Sequence, residues 1–367
     1  MIKLDKVLKK GVRESERRHV RAKLAQRKDF LRLDLNENLV ELSPTDFSAM
    51  MARILPQTAS AYPDLAAIYA KLALHIGVAE DQLVITNGSD MGIKTLFDVC
   101  IEKGDHIVLH DPYFLMYERY AEFFEASVDA VPVGPAWAPD ADAMLARVNE
   151  RTKMVVVEDP SGNVGTCMTS ADLERMAAEL EKKNVLLVID EAYMYVSRND
   201  SANLPLVERY SNVILVRTVS KAYGLAGARL GMLITNAELA RHLYKVRSLY
   251  EISGLSANVT EWHLDNPQVL ASYQQTVRDS KAFLFEQLQR LGLRYKDTPA
   301  NFVIVELDPG QDTAAMFEQL KERKILIGKA YTLPHLRGWA RITVGTRAHC
   351  QQLVDALDDI LNTRLAA

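Results

Sequence analysis

A lysine in a segment of small residues is the strongest chemical signal of the sequence. Lys221 lies in Ser-Lys-Ala-Tyr-Gly-Leu-Ala-Gly (220–227), shortly after an apolar run at 213–216. Lysine side chains are usually exposed to solvent, so this setting is unusual. The glycines let a ligand approach the backbone, and Ser220 and Arg229 can both bind phosphate oxygens. The segment therefore predicts a site for a phosphate-bearing ligand beside a lysine.

An acidic residue follows a second apolar run about thirty residues upstream. Asp190 begins Asp-Glu-Ala-Tyr (190–193), directly after the run at 185–189. In open α/β sheets, ligands bind beyond the carboxyl ends of the strands. We therefore expect Asp190 and Lys221 at one edge of a sheet. The other interpretation of Asp190 is a helix N-cap.

A third segment has the features of an anion site. Thr-Asn-Gly-Ser-Asp (86–90) follows the apolar run at 83–86 and opens a predicted helix. Backbone N–H groups and the helix dipole favour anions at such a start. Gly-Ser-Asp is also an ordinary helix cap, so this segment indicates an anion site only in combination with the others.

Short apolar runs alternate with longer amphipathic stretches through the middle of the chain. Runs this short are typical of buried strands, and the stretches between them of helices. The alternation predicts an α/β fold with a mostly parallel sheet covered by helices on both faces. The predicted strands lie at 83–86, 106–109, 154–157, 185–189, 213–216 and 230–234.

The alternation gives way near residue 256 to a long helical stretch at 266–291 and then a mixture of strands and helices. We therefore predict a basic N-terminal arm at 1–33, a large domain at 34–255 and a smaller α+β domain at 256–367.

Composition excludes several classes of protein. The 367 residues include 44 Lys and Arg against 48 Asp and Glu, which gives a net charge of −4, and 48% are hydrophobic. This composition excludes a disordered chain and argues against a general nucleic-acid binder. Three widely spaced cysteines without a CxxC pair indicate a reducing compartment, and the histidines lack metal-ligand spacing. With no predicted membrane span or secretory signal, we expect a cytoplasmic protein.

The first thirty residues carry eleven Lys or Arg and four Asp or Glu, a net charge of +7. The main interpretation is a solvated, partly helical arm that docks on the acidic body or on a second subunit. A nucleic-acid or membrane contact and an organelle transit peptide are the alternatives.

Asp-Glu-Ala-Tyr followed by Ser-Lys-Ala-Tyr-Gly-Leu-Ala-Gly resembles the fold-type-I pyridoxal-phosphate enzymes, most of all the histidinol-phosphate aminotransferase group. The resemblance runs from Leu33 to the C-terminus. It implies a pyridoxal 5'-phosphate cofactor and a homodimer with shared active sites. It also implies that Lys221 forms the Schiff base and then moves a proton between Cα and C4′. Asp190 would pair with the pyridine nitrogen, and Tyr193 would reach the ring hydroxyl.

The resemblance extends to further motifs. Arg341, in Arg-Ile-Thr-Val-Gly-Thr, matches the arginine that binds the substrate α-carboxylate, for which a planar bidentate group is suited. The alternatives are a structural salt bridge for Arg341 and plain core packing for the tyrosines. The remaining matches are Gly88, Ser89 and Asp90 around the phosphate, Tyr113 stacked on the pyridine, Tyr62 at the neighbouring subunit's phosphate, Ser220 and Arg229 at the phosphate, and Asn36 and Glu37 over the substrate.

One motif departs from the family in the loop at 159–166. The family has Asn-Pro-Asn-Asn-Pro-Thr-Gly where this chain has Asp-Pro-Ser-Gly-Asn-Val-Gly-Thr. A gapless match puts Gly162 where the family has the asparagine that hydrogen-bonds the ring oxygen, and a one-residue slip puts Asn163 there. We favour Asn163, because glycine offers no side-chain donor.

A second departure concerns the substrate. The family's Asn-Pro-Tyr-Gly is here Asn-Leu-Val-Glu (38–41), and its Val-Arg is here Ile327-Gly328, with Lys329 next. Lysine does not replace a bidentate arginine, so these changes argue against histidinol phosphate as the substrate. Glu251 falls at the family's substrate entrance, where it would suit a basic or hydroxylated substrate side chain.

We therefore predict an aminotransferase that moves an amino group between an amino acid or amine and a 2-oxo acid. A decarboxylase, or an enzyme of elimination or cyclisation using the same site, is the first alternative, because pocket geometry selects the bond that breaks. A noncatalytic module with its basic arm on DNA is the second.

Overall fold

The computed structural model describes residues 7–15, 27–197, 202–309, 313–328 and 330–366. Within them, seven strands form one sheet in the order β2-β8-β7-β6-β5-β3-β4. Strand β8 runs opposite to the other six strands, which all run in one direction. This arrangement confirms the predicted mostly parallel sheet. The strands are β2 (Leu83–Thr86), β3 (His106–Asp111), β4 (Ser127–Pro132), β5 (Thr152–Glu158), β6 (Leu186–Asp190), β7 (Val213–Thr218) and β8 (Gly231–Ile234).

The central strands are buried because apolar clusters cover both faces of the sheet. In β5, Val155 and Val157 contact one cluster, while Met154 and Val156 contact the other. Successive side chains of a strand point to opposite faces, so an unbroken apolar run indicates a strand covered on both sides. Polar residues are therefore concentrated where strands end, and these ends position the candidate site.

Helices cover the two faces of the sheet and link its strands. Side-chain caps stabilise the starts of two of these helices: Thr169 accepts a hydrogen bond from the backbone N–H of Asp172, and Asn236 accepts one from the backbone N–H of Leu239. The described helices of this region are α1 (Lys10–Glu14), α2 (Pro44–Met51), α3 (Pro56–Ser60), α4 (Ala66–Ile76), α5 (Gly88–Cys100), α6 (Met116–Phe124), α7 (Ala141–Leu145), α8 (Ser170–Glu181), α9 (Leu204–Arg209) and α10 (Ala237–Val246).

The C-terminal part has its own apolar cluster and smaller sheets. Strand β10 lies antiparallel between β9 and β12, and β1 pairs in parallel with β11. Its helices contribute Leu284, Leu288 and Leu353 to the cluster. The elements are β1 (Leu31–Leu33), α11 (Gly254–Asp265), α12 (Pro267–Arg290), β9 (Tyr295–Lys296), β10 (Phe302–Glu306), α13 (Ala314–Glu322), β11 (Ile325–Ile327), β12 (Trp339–Thr343) and α14 (Arg347–Ala366).

The pairing of β1 with β11 bears on the domain boundaries, which stay a proposal. Residues 31–33 lie in the predicted arm, yet Leu33 belongs to the C-terminal apolar cluster. If the chain divides into domains, the end of the arm belongs with the C-terminal one.

The described part of the basic arm docks on the body of the same chain. Helix α1 lies against α6, and a β-carbon at Gly11 would be 1.9 Å from the carbonyl oxygen of Glu122. The Lys9 ammonium lies over the ring of Phe124, 5.5 Å from its centre. None of the described helices is long and apolar enough to cross a membrane.

Candidate active site

Two strand ends and an N-terminal segment meet at Lys221. Lys221 follows β7, and its Nζ donates to the carbonyl oxygen of Leu35 at 2.9 Å. The same ammonium lies 5.3 Å from the centre of the Tyr193 ring, which follows β6. The structure thus brings Lys221 and Tyr193 together and lays the segment at 34–37 over them.

Asp190 is buried at the end of β6, where it accepts two hydrogen bonds. The Tyr117 hydroxyl donates to Asp190 Oδ2 at 3.0 Å, and the backbone N–H of Ala192 donates to Oδ1 at 3.1 Å. Burial raises the pKa of Asp190 to about 6, while these hydrogen bonds and the Lys221 cation act in the opposite direction. A buried carboxylate of this kind is a suitable partner for a protonated ring nitrogen.

A cradle for an anion forms at the start of α5. Gly88 has a φ of +74°, and a β-carbon there would lie 2.3 Å from Arg229 Nη2. Arg229 Nη1 lies 3.5 Å from the Ser220 hydroxyl, and a β-carbon at Gly231 would be 2.1 Å from the backbone N of Ser89. The glycines therefore let Arg229 and β8 approach the start of α5 closely. Backbone N–H groups, a hydroxyl and a guanidinium lie together there, a combination that suits a phosphate group.

Asp90 and Tyr113 lie at the edge of this region. Asp90 accepts from the Tyr120 hydroxyl at 3.0 Å, so its carboxylate is engaged with α6. Tyr113 is half-buried, and burial followed by the nearby Glu118 raises its phenol pKa above the ordinary range. Its ring also packs against an apolar cluster of the main sheet, so core packing accounts for part of its burial.

Arg341 of β12 faces the same segment as Lys221. Its Nη1 donates to the carbonyl oxygen of Gly162 at 2.6 Å and its Nη2 to that of Asp34 at 2.9 Å. The guanidinium lies over the ring of Phe302, 5.6 Å from its centre. Both hydrogen-bond partners are carbonyls, so Arg341 forms no salt bridge with a carboxylate among the described residues.

The two predicted residues of the covering segment have different surroundings. Asn36 is fully buried, and its Nδ2 donates to the Tyr193 hydroxyl at 3.0 Å. The Glu37 carboxylate pairs with Arg27 at 2.8 Å. Half-burial opposes ionisation of Glu37, but the Arg27 hydrogen bond and charge hold its pKa below the ordinary value. Asn36 therefore contacts the site directly, whereas Glu37 anchors the segment.

The loop after β5 places Gly162 beside Tyr193. A β-carbon at Gly162 would lie 2.7 Å from Tyr193 Cε2, so the Tyr193 ring occupies the space that a side chain at 162 would need. Asn163 accepts through its backbone oxygen from the Tyr331 hydroxyl at 2.6 Å. The hydrogen bond predicted from the Asn163 side chain to the ring oxygen stays a prediction.

Two further predicted residues have partners within the chain, and their predicted roles toward substrate and cofactor stay predictions. Glu251 accepts from the backbone N–H of Asn87 at 2.8 Å, so its carboxylate supports the loop before α5. Tyr62 stacks on Tyr250 of its own chain at 4.1 Å between ring centres and is 76% exposed. Lys329 lies outside the described residues.

Sequence reasoning missed two side chains of the site. Glu158 closes β5 and is buried beside Asp190, and Tyr117 donates to Asp190 from α6. The signal for Glu158 was available, since a carboxylate directly follows the apolar run at 154–157. Tyr117 gave no signal, because a tyrosine on an amphipathic helix is typical of a core.

Comparisons with known proteins agree with the geometry. The family described as aminotransferase class I and II matches residues 22–357. Histidinol-phosphate aminotransferase of Symbiobacterium thermophilum is 34% identical over 334 residues, which are 90% of each chain. That of Moorella thermoacetica is 32% identical, over 91% of this chain and 86% of its own. The Sinorhizobium meliloti histidinol-phosphate aminotransferase, solved with pyridoxal-5'-phosphate, shares the fold, with a TM-score of 0.86 at 22% identity over 97% and 98% of the chains.

Proposed function

The chain belongs to the class I and II aminotransferases and is a pyridoxal-phosphate-dependent transaminase, and we propose that its substrates are an α-amino acid and a 2-oxo acid whose carboxylates bind Arg341. One observation carries this proposal. Lys221 and Arg341 donate to the carbonyls of consecutive residues, Leu35 and Asp34. The amine and the guanidinium therefore contact the same short segment, an arrangement that suits groups that bind the amino and carboxylate ends of an α-amino acid.

The residues present fit the cofactor. Bound pyridoxal phosphate supplies an aldehyde for the amino group and a ring that accepts electrons. The cradle at Gly88 accommodates the phosphate, and the buried Asp190 accommodates the pyridine nitrogen. The residues proposed to hold the cofactor are Gly88, Ser89, Asp90, Tyr113, Asp190, Tyr193, Ser220, Lys221 and Arg229.

Lys221 carries the proton in this proposal. Among the residues that the structure describes, its Nζ donates to a carbonyl oxygen of the covering segment, so a substrate that displaces Leu35 frees the amine. A neutral amine can remove the proton from the substrate Cα, and the resulting ammonium can return it. Arg341 holds the carboxylate and so fixes which Cα bond faces Lys221.

A second candidate substrate is histidinol phosphate, after which the relatives are named. Those relatives favour it through their similarity over nine-tenths of the chain. One feature of the site argues against histidinol phosphate. A β-carbon at Gly328 would lie 2.7 Å from the carbonyl oxygen of Arg341 and 3.1 Å from Nε of Arg341. An arginine at 328, which the family pattern has there, does not fit beside Arg341.

Single amino donors distinguish these candidates. The cofactor-loaded protein is mixed with one donor at a time, either an α-amino acid or histidinol phosphate, without an acceptor. Loss of the visible cofactor band with an α-amino acid supports the proposal. A response to histidinol phosphate alone supports the second candidate. Release of carbon dioxide with the band retained would contradict transamination of that compound.

A homodimer is also proposed. Tyr62 and Tyr250 stack on each other and are exposed, and Phe47, Leu55 and Leu249 are also exposed at 52%, 51% and 73%. Contiguous exposed apolar surface is typical of protein interfaces. Light scattering after size exclusion tests the dimer: a mass of one chain at micromolar concentration would contradict it. A cytoplasmic location is proposed from three free thiols, Cys100, Cys167 and Cys350, and cell fractionation tests it.

A further inference from the structure

Two buried carboxyl groups lie side by side at the carboxyl ends of β5 and β6. Glu158 and Asp190 are register partners in the parallel sheet and are 4% and 5% exposed. Register partners on adjacent parallel strands have side chains on the same face. Neither carboxyl lies within salt-bridge distance of a cation in the described part of the chain.

Glu158 joins two loops of the site. Its Oε1 accepts a short hydrogen bond from the backbone N–H of Phe114, in the loop after β3. Its Oε2 accepts from the backbone N–H of Gly162, in the loop after β5, at 2.8 Å. The first loop carries Tyr113, and the second contacts Tyr193 and Arg341. Removal of this carboxyl would therefore release both loops from the strand ends.

Two adjacent buried carboxyls do not both ionise readily, because each negative charge disfavours the other. Burial, and then the Asp190 charge, raises the pKa of Glu158 to about 8, although two backbone N–H groups oppose the shift. Burial also raises the pKa of Asp190, to about 6. Both pKa values are raised, and burial with the neighbouring charge acts against ionisation of Glu158, so Glu158 is the carboxyl that we expect to hold a proton at neutral pH.

The surrounding groups act on this difference in both directions. The Tyr117 hydroxyl and the Lys221 cation favour the charged form of Asp190, whereas Glu191 disfavours it. Arg341 favours the charged form of Glu158 and so acts against the difference. His110, which accepts from the backbone N–H of Glu158, stays neutral, because burial lowers its pKa to about 4.

We propose that Glu158 is a positioning residue of the cofactor site: its neutral carboxyl holds the loops at Phe114 and Gly162 together and keeps the proton that Asp190 would otherwise bind. Asp190 thereby stays ionised for the cofactor's ring nitrogen. The inference rests on the proposed function in one respect, namely that Asp190 faces that nitrogen.

The first test is the protonation state of Glu158 in the protein without cofactor. An infrared difference spectrum between about pH 6 and about pH 10 separates protonated from ionised carboxyls. In the wild type, we expect the C=O band of a buried carboxylic acid to disappear with a midpoint near pH 8. Glu158→Gln should lack this change, and the control Glu208→Gln, at an exposed position, should retain it. An unchanged band in Glu158→Gln would overturn the proposal.

The second test is pyridoxal phosphate affinity at neutral pH. Glutamine can accept from only one of the two backbone N–H groups, because its NH2 group donates, so Glu158→Gln should bind pyridoxal phosphate less tightly than the wild type. Glu158→Ala leaves two backbone N–H groups unpaired and should weaken binding by about tenfold or more. No loss of affinity in Glu158→Ala would overturn the proposal.

The two claims fail in different ways. A wild type that binds no pyridoxal phosphate would overturn the proposed function. A wild type that binds it, with Glu158 ionised at neutral pH, would overturn this inference alone. If Glu158→Ala does not fold by circular dichroism, the infrared comparison of wild type and Glu158→Gln still decides.

Discussion

Lys221 and Arg341 come from different parts of the chain, yet they donate to adjacent carbonyls of one segment. Nζ of Lys221 is 2.9 Å from the Leu35 oxygen, and Nη2 of Arg341 is 2.9 Å from the Asp34 oxygen. The segment therefore engages both groups that we propose bind the substrate. A substrate bound in this way would exchange these two hydrogen bonds for its own, which would couple the segment to substrate binding.

Arg341 should determine affinity for the substrate carboxylate. Arg341→Lys keeps the charge but loses the planar pair of N–H groups. We expect kcat/KM for an α-amino acid to fall about tenfold to a hundredfold, mostly through KM, because charge-assisted hydrogen bonds contribute about 1.5–3 kcal/mol. Steady-state kinetics with Arg341→Lys and Arg341→Ala checks this. A change confined to kcat would contradict the assignment.

Arg27 should act through the covering segment. Its guanidinium is buried and pairs with Asp34 at 2.6 Å and with Glu37 at 2.8 Å. Arg27→Met removes the ion pairs with both carboxylates, although Glu37 keeps Arg32 at 4.0 Å. The change should lower the free energy of unfolding by about 2 kcal/mol, since both partners are partly solvated. It should also raise KM. Urea denaturation and kinetics measure the two effects, and the exposed neighbour Lys28→Met serves as the control. Equal behaviour of the two variants would show that Arg27 does not anchor the segment.

Gly88 should be required for binding of the cofactor phosphate because a side chain there would displace Arg229, and not only because Gly88 has a positive φ. Gly88 and Gly77 both have positive φ, +74° and +85°, but only at Gly88 would a β-carbon meet another group, Arg229. Alanine at either position should cost about 1 kcal/mol of stability through the backbone. Only Gly88→Ala should weaken pyridoxal phosphate binding, by about tenfold or more. Equilibrium titration of both variants checks this, and equal affinities would contradict the cradle.

The Asp190 carboxylate should make cofactor affinity depend on pH. Its folded pKa of about 6 lies above the ordinary value of 3.8, so Asp190 takes up a proton as the pH falls through about 6. The cofactor-free protein gains stability over the same fall, since protonation relieves a buried charge. Pyridoxal phosphate binding should weaken, because the negative partner of the ring nitrogen is lost. Asp190→Asn should bind weakly at all pH values, without this step. A step that persists in Asp190→Asn would exclude Asp190 as its source.

The sequence was sufficient for features that depend on local pattern. The apolar runs at 83–86 and 213–216 predicted strands. Because ligands bind beyond the carboxyl ends of strands in open α/β sheets, Asp190 and Lys221 were expected at one edge of the sheet. Contacts between distant segments were not predictable in this way. The pairing of residues 31–33 with 325–327 and the contact of Asn36 with Tyr193 depend on tertiary packing, which no local periodicity records.

The loop after β5 shows the same limit. The sequence left Gly162 and Asn163 open as matches to the family's asparagine, and the approach of the Tyr193 ring to Gly162 is a contact that only the structure provides. Glu158 gave a local signal, a carboxylate directly after an apolar run. Its significance, however, comes from Asp190 on the adjacent strand, and the pairing of β5 with β6 could not be read from either segment alone.

The central claim is that Lys221 is the lysine that binds the cofactor covalently. The most direct measurement is reduction of the cofactor-loaded protein with borohydride, followed by peptide mass spectrometry. We expect the reduced cofactor on the peptide that contains Lys221, and no covalent label on that peptide in Lys221→Ala, whose turnover should fall about a thousandfold or more. Label on a different lysine of the wild type, or no label in a protein with a visible cofactor band, would contradict the account.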